Sequence, residues 1–298
     1  MSMKQKSRVQ LAIVALMVLS IFVACGKSRQ VRASVAVERS KAPAKLPADV
    51  EKAWKNRHEK ADLIASLKGM EAYDVENPQF TDVKLNICRG YYLLADGHLW
   101  LEMNDSNEGE IKKQQADAYD KAIQYCEAAL QLNPALRAEV GKGIDIEKAL
   151  DKLGVEDIDA LYWRYACLGK WSRIQGMTTL LGNRPKFSAM IKRVEELETQ
   201  MGKKYFFDAT LRYQAVGNAL SPTGDKKKAD QQFEQAIKNN PNYFAVRNIY
   251  AEARLKGNED EFKKQVDYVI KGNPKSLPEI ESEQIVEQRK AKKLLEDL

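Results

Sequence analysis

The chain has 298 residues, of which 44% are hydrophobic and 30% charged, and a formal net charge of +6. Three of its 48 Lys and Arg, namely Lys4, Lys6 and Arg8, precede Cys25, which leaves 45 basic against 42 acidic residues. That balance gives no reason to invoke nucleic acid or an anionic lipid surface as partner, and the length suffices for one sizeable core.

Behind those three cations runs an apolar stretch, residues 9–24, ending in Val23-Ala24-Cys25-Gly26. A basic start, an apolar run and a small residue before cysteine read as an export signal over residues 1–24. The run is shorter than the ~20 residues a spanning helix needs. Ile21-Phe22-Val23-Ala24-Cys25 resembles the lipobox of bacterial lipoproteins, which implies that Cys25 is acylated and anchors the chain to a membrane. Gly26 stands where inner-membrane lipoproteins carry aspartate, so the resemblance points to the periplasmic face of the outer membrane. Residues 25–48, with Pro43 and Pro47 and no lasting apolar periodicity, predict a flexible tether.

Residues 49–298 read as helical hairpins. A first pair begins near Asp49, with Ser66, Met70, Tyr73 and Pro78 at second-helix spacing. In the next pair Tyr91, Leu94 and Ala95 oppose Ala122, Cys126 and Ala129, closed by Pro134. The polar insertion 97–112 predicts either a rim loop or an extension of both helices. Residues 141–153 read as a turn and a short helix over one end. An aromatic helix follows over 157–181, then a helix over 185–201 with Met190, Val194 and Leu197 inward and Gly202 behind it.

The clearest unit comes next. Tyr213, Val216, Gly217 and Leu220, then Ala229, Phe233 and Ala236, then Pro241 keep the order and spacing of the tetratricopeptide (TPR) signature. Gly217 and Ala229 predict close helix approach, Phe233 fills the gap, and Gly224-Asp225 supplies a turn and a helix cap. Val246, Ile249, Tyr250 and Ala253 then face Phe262, Val266 and Val269, up to Pro274. Pro241 and Pro274 lie 33 residues apart, close to the ~34-residue repeat. A charged helix over 279–298 offers Ile280, Ile285, Val286, Leu294 and Leu295 as a terminal cap. The expected fold is all-α: a TPR-like solenoid of about four to five hairpins plus a C-terminal capping helix.

No catalytic constellation or cofactor motif is present, and no metal site is expected. His58 and His98 read as surface histidines, and the runs Glu195-Glu196-Glu198 and Lys226-Lys227-Lys228 as solvated helix charges. Cys88, Cys126 and Cys167, far apart and each in an apolar helical context, read as buried thiols in preference to a disulfide. First-helix positions left free by the signature predict a concave groove. They are Tyr92 and Asp96, Trp163 and Cys167, Gln214 and Asn218, Arg247 and Ala251, with Lys170 and Arg254 one turn on. Such mixed aromatic, amide and cationic residues suit a protein segment or a small anion with an apolar body. A slip of one position turns a helix face by about 100° and would make Tyr92 and Trp163 core residues instead.

Ala160-Leu161-Tyr162-Trp163 followed by Leu168-Gly169-Lys170-Trp171 resembles the T component associated with tripartite ATP-independent periplasmic (TRAP) transporters. Tyr205-Phe206-Phe207, Tyr243-Phe244, Ser276-Leu277-Pro278-Glu279 and the tail from Arg289 to Leu295 match in the same order. The resemblance implies a non-enzymatic, periplasm-facing TPR lipoprotein that forms homo-oligomers and docks the periplasmic solute-binding protein of the transporter. It further implies room for a hydrophobic or amphipathic carboxylate ligand, with Trp163 and Trp171 lining a pocket or a subunit contact. Arg164 and Cys167 depart from the family's apolar helix. The alternative is an envelope scaffold that gathers outer-membrane or cell-wall assembly proteins.

Overall fold

The computed structural model describes residues 29–34 and 36–298, so the export signal and Cys25 lie outside the described residues. Those residues form an all-α stack of helical hairpins. Helices α1 (Ala48–Lys55) and α2 (Lys60–Glu76) form the first hairpin. Helix α3 (Thr81–Leu93) runs on through a wide, π-type turn, Leu94–Leu99, into Trp100–Glu102, and α4 spans Glu108–Leu130. The insertion therefore lengthens both helices and leaves only residues 103–107 as the link.

Asn133 caps α5 (Pro134–Gly141), its side chain accepting from the amides of Ala135 and Leu136, with proline at the position whose amide is unpaired in any case. Where one short helix was expected, three single 3₁₀ turns follow: Ile146–Lys148, Leu150–Lys152 and Val155–Asp157. The expected aromatic helix is broken. Helix α6 (Ile158–Ile174) stops before Gly176, whose φ of +103° a side chain disfavours, and α7 (Met177–Gly182) starts in a new direction. Helix α8 (Arg184–Met201) ends at Gly202 in the left-handed conformation.

Helices α9 (Ala209–Leu220) and α10 (Lys226–Asn239) form the hairpin with the TPR signature. Asp225 caps α10 as expected, accepting from the Lys228 amide at 2.9 Å. At Gly224 a Cβ would lie 2.2 Å from the Asn218 carbonyl, so the turn needs glycine. Ala229, Phe233 and Ala236 are buried, but the partner face is rotated from the one expected. A Cβ on Gly217 would meet nothing within 4 Å, and Leu220 is 42% exposed. Ala215 and Ala219 are the small residues that this helix buries instead. Tyr213 and Val216 sit at the margin, half-buried, and Pro241 lies in the turn after α10. The last hairpin joins α11 (Phe244–Tyr250), extended by a second wide turn, Ala251–Leu255, to α12 (Glu259–Lys271).

The last helix, α13 (Glu281–Glu296), is more than a cap. It packs on α12 while its Val286 belongs to the hydrophobic cluster of the first hairpins. Arg57 reaches Glu283 at 2.7 Å, the Ser282 hydroxyl donates to the Lys55 carbonyl at 2.8 Å, and Arg289 donates to the His58 carbonyl at 2.5 Å. The two ends of the stack are thus buckled together by α13.

Three further expectations are corrected. Cys88 of α3 and Cys126 of α4 form a disulfide, their Cα atoms 5.8 Å apart. Their separation of 38 residues conceals that the two helices are antiparallel neighbours, which places both sulfurs on one seam. Cys167 stays a buried thiol, and burial pushes its pKa well up. His98 is buried, not superficial, and its Nε2 lies 3.0 Å from the Arg57 carbonyl. Glu198 is also buried, holding the Tyr205 amide and the Thr210 hydroxyl.

The described part of the stretch read as a tether lies extended against the body. The Ser34 amide donates to Gln131, the Ser40 amide to the Gln79 carbonyl and the Ala44 amide to Asp82, each at 2.9–3.0 Å. Val31, Ala44 and Leu46 pack on the core. Backbone pairing to fixed side chains holds a segment whose own composition has no apolar period.

Candidate functional site

The hydrophobic side chains divide into two clusters, one built by α1–α8 and joined by Val286 of α13, the other within α9–α13. A cavity of about 90 Å³ lies where they meet. Helix α3 lines it with Arg89, Tyr92, Leu93, Asp96 and Gly97. These positions step by three and one along the chain, the spacing of a single helix face. The wide turn after Leu93 carries Asp96 and Gly97 toward α13, and a Cβ on Gly97 would sit 2.7 Å from Val286. Helix α6 adds Tyr162, Trp163 and Ala166, and α13 closes the space with Ile280, Glu283, Gln284 and Glu287.

The remaining wall is Phe206, Arg212 and Tyr243, with Ala245 and Ile249 of α11. Phe206, Phe207 and Asp208 all have positive φ, at 38°, 54° and 56°. Each such residue costs on the order of 1–2 kcal/mol for a side chain bearing a Cβ, so the surroundings must hold the turn. Arg212 donates to the Phe206 carbonyl at 2.8 Å and to the Phe207 carbonyl, Asn239 and Asn240 donate to Asp208, and Phe207 stacks on Tyr243 at 4.6 Å. The strain keeps the Phe206 ring 5.2 Å from that of Trp163, in an edge-to-face pair. Tyr92 and Tyr162 pack on Trp163 in the same way, at 5.3 and 5.5 Å.

Two cations meet these rings. The Arg89 guanidinium lies 5.4 Å from the Trp163 ring and 5.8 Å from Phe206, while its Nη2 donates to Glu283 at 3.3 Å. Arg212 stands 4.6 Å over the Tyr243 ring and donates to the Tyr162 hydroxyl. At the far end Asp96 pairs with Lys170 and, at 3.0 Å, with Lys290 of α13. Burial by itself raises the Asp96 pKa, but the two ammonium groups overcome it and hold the carboxyl well below its usual range. Lys290 is affected conversely: burial lowers its pKa, and Asp96 with Glu287 outweighs that and raises it. Burial beside Asp96 also pushes the Tyr92 and Tyr119 hydroxyls well up, so both stay neutral.

Of the expected groove residues, the structure brings Tyr92, Asp96 and Trp163 into this cavity and sets Lys170 on Asp96. Trp171 is buried elsewhere on α6, 5.9 Å from the Arg29 guanidinium. Gln214 and Asn218 are joined through Gln232 between α9 and α10. Arg247 lies over the Tyr268 ring at 3.6 Å and donates to Gln265, and Arg254 pairs with Asp230. Arg89, Phe206, Arg212 and Tyr243, with the α13 residues, were not expected. The run Tyr205-Phe206-Phe207-Asp208 between two helices is the signal that could have pointed to them.

Among the described residues no helix is long and apolar enough to cross a membrane. No group of His, Cys, Asp and Glu there is placed to hold a metal ion. No curated protein matches the chain. A family model described as the TRAP transporter T-component matches residues 60–298, which takes in every wall of the cavity and both cysteines of the disulfide. The chain therefore belongs to the TRAP transporter T-component family, accessory proteins of a solute uptake system in the cell envelope.

Proposed function

We propose that this protein is a lipid-anchored, oligomeric, non-enzymatic component that docks the periplasmic solute-binding protein of its transporter and receives an amphipathic carboxylate in the cavity between its two clusters. The observation that carries the reading is Arg89, set between the Trp163 and Phe206 rings and neutralised by Glu283 of α13. A cation under aromatic faces is a receptor for a carboxylate with an apolar body, and Glu283 occupies the position such a carboxylate takes. At about 90 Å³ the cavity admits the head of such a ligand. Sites that enclose a whole drug-sized molecule measure roughly 300–1,000 Å³, so the cavity takes the head and not the body of a larger solute. The Cys88–Cys126 disulfide supports a home outside the reducing cytosol.

Crosslinking in the native envelope, followed by purification and mass spectrometry, tests the docking. A solute-binding protein at near-stoichiometric yield is the expected result. Outer-membrane or cell-wall assembly proteins without it would transfer the case to the scaffold reading. Octanoate, with octanol as control, tests the cavity: quenching of tryptophan fluorescence by the acid alone is expected, and equal quenching by both would remove Arg89 from the reading.

A further inference from the structure

The described N-terminal segment has a direction as well as contacts. Arg39 pairs with Asp157, at the start of α6, and the Val37 carbonyl accepts from Arg137. Arg32 and Ser34 bond to Gln131 at the end of α4. Arg29 reaches Asp120 at 2.5 Å and Glu127 at 3.3 Å, and lies 5.9 Å from the Trp171 ring. As residue numbers fall from 39 to 29 the contacts pass from Asp157, just before α6, to Gln131 and back along α4 to Asp120, ending beside Trp171 in the last turn of α6. Arg29 is four residue steps from Cys25 in the sequence, a span that covalent geometry limits to about 14 Å. The chain thus enters the described residues at Arg29, beside the last turn of α6 and the corner where α6 gives way to α7.

That corner has an unusual surface. Met177 and Leu181, four apart and so on one face of α7, are 56% and 51% exposed. Residues 160–194 contain seven Lys and Arg and no acidic residue. Arg164, Lys170 and Arg193 are spent on pairs with Glu127, Asp96 and Glu196. Arg173, Arg184 and Lys186, which flank α7, have no acidic partner within 4 Å among the described residues. The near balance of 45 basic and 42 acidic residues beyond Cys25 conceals this segregation. One acyl anchor gives only marginal attachment, and a second contact of apolar and cationic side chains makes it stable.

We infer that α7 and its flanking arginines are the membrane-facing pole of the protein, Met177 and Leu181 entering the interface of an anionic phospholipid surface while Arg173, Arg184 and Lys186 meet its phosphates. The inference rests on acylation of Cys25. It sets α7 against the lipid and leaves the opposite pole of the stack toward the aqueous compartment.

The test is hydrogen–deuterium exchange on the acylated protein in vesicles of phosphatidylethanolamine and phosphatidylglycerol, compared with phosphatidylcholine vesicles. Amides of α7 are expected to exchange about tenfold more slowly on the anionic surface. Met177→Glu combined with Leu181→Glu, both at exposed positions, is expected to abolish that protection and leave the rest of the exchange map unchanged. Equal exchange on the two surfaces, or protection that persists in the double variant, overturns the inference. Protection that follows protein concentration and not lipid assigns the face to a second copy and overturns it too. The mass of the mature N-terminus separates the two layers: an unmodified Cys25 defeats the anchored reading itself, whereas an acylated chain with unprotected α7 defeats only the pole.

Discussion

Asp96 and Lys290 form an ion pair at 3.0 Å across a sequence separation of 194 residues, joining the wide turn of α3 to the last helix. Both side chains are buried, so breaking the pair by removing one partner leaves an uncompensated charge. Such a loss typically costs about 3–5 kcal/mol. Lys290→Met is expected at the lower end, because Lys170 still faces Asp96. Adding Asp96→Asn should recover part of the loss. Urea unfolding of both single variants and the double variant measures the coupling, and simple additivity would show that the pair does not bind α13.

Acidity should act in two stages. His98 is held below its ordinary pKa of 6.5 chiefly by burial, so its neutral form stabilises the fold above that pH and the contribution is lost as pH falls below it. Asp96, also depressed in the fold, loses its contribution only as pH falls below its ordinary 3.8. Lys290, raised in the fold, stabilises below its ordinary 10.5 and loses that contribution as pH rises past it. The urea midpoint should therefore be highest between pH 6.5 and 10.5. In His98→Gln the first acid step should vanish.

At Gly97 the wide turn after α3 leaves no room for a side chain beside Val286 of α13. In Gly97→Ala the new methyl would lie 2.7 Å from Val286 and 3.3 Å from Leu93. Overpacking of this kind costs about 1–3 kcal/mol. Val286→Ala in the same chain should return part of it, and thermal melts of the four variants decide the matter.

Removing the rival of the ligand should strengthen binding. Glu283→Gln leaves Arg89 without its carboxylate, and octanoate affinity is expected to rise about tenfold, the scale of one charge-assisted hydrogen bond. Arg57 loses a partner in the same variant, so a slightly lower melting temperature should accompany the gain. Trp163→Phe keeps the packing and removes the larger ring, and is expected to weaken octanoate binding without unfolding. Unchanged affinity in the folded variant would place Trp163 in the core alone.

Reduction should loosen the first cluster. The Cys88–Cys126 bond closes a loop of 38 residues, and its loss is expected to cost about 2–4 kcal/mol. A thiol assay on the native protein should find Cys167 unreactive, and reductant should release two more thiols on unfolding.

Helix pairs, their caps and their closing prolines were legible because each is a local matter of period and turn chemistry. Asp225, Gly224, Phe233 and Gly202 behave as their neighbours in sequence dictate. What was hidden depends on helices far apart in the chain. The signature named Gly217 and Leu220 as the packed face, yet Ala215 and Ala219 are small enough to be chosen instead, and spacing does not distinguish the two registers. Tyr92, Asp96 and Trp163, expected in one groove from their hairpin positions, do line one cavity. Arg89 and Arg212 were missed because the helix and the strained turn that give them meaning come from elsewhere. Nor could spacing reveal that α13 turns back to Arg57 and Asp96, since a charged amphipathic helix reads as a cap wherever it lands.

The return of α13 bears on synthesis. Arg57 meets Glu283 over 226 residues, so a chain emerging from the ribosome makes its first hairpins long before the residues that lock them exist. Closing so long a loop is slow compared with forming each hairpin. Until the last twenty or so residues are free, Arg89 has no Glu283 and the cavity has no roof. A nascent or prematurely terminated chain can therefore hold most of the helices of this protein and lack the closed cavity altogether.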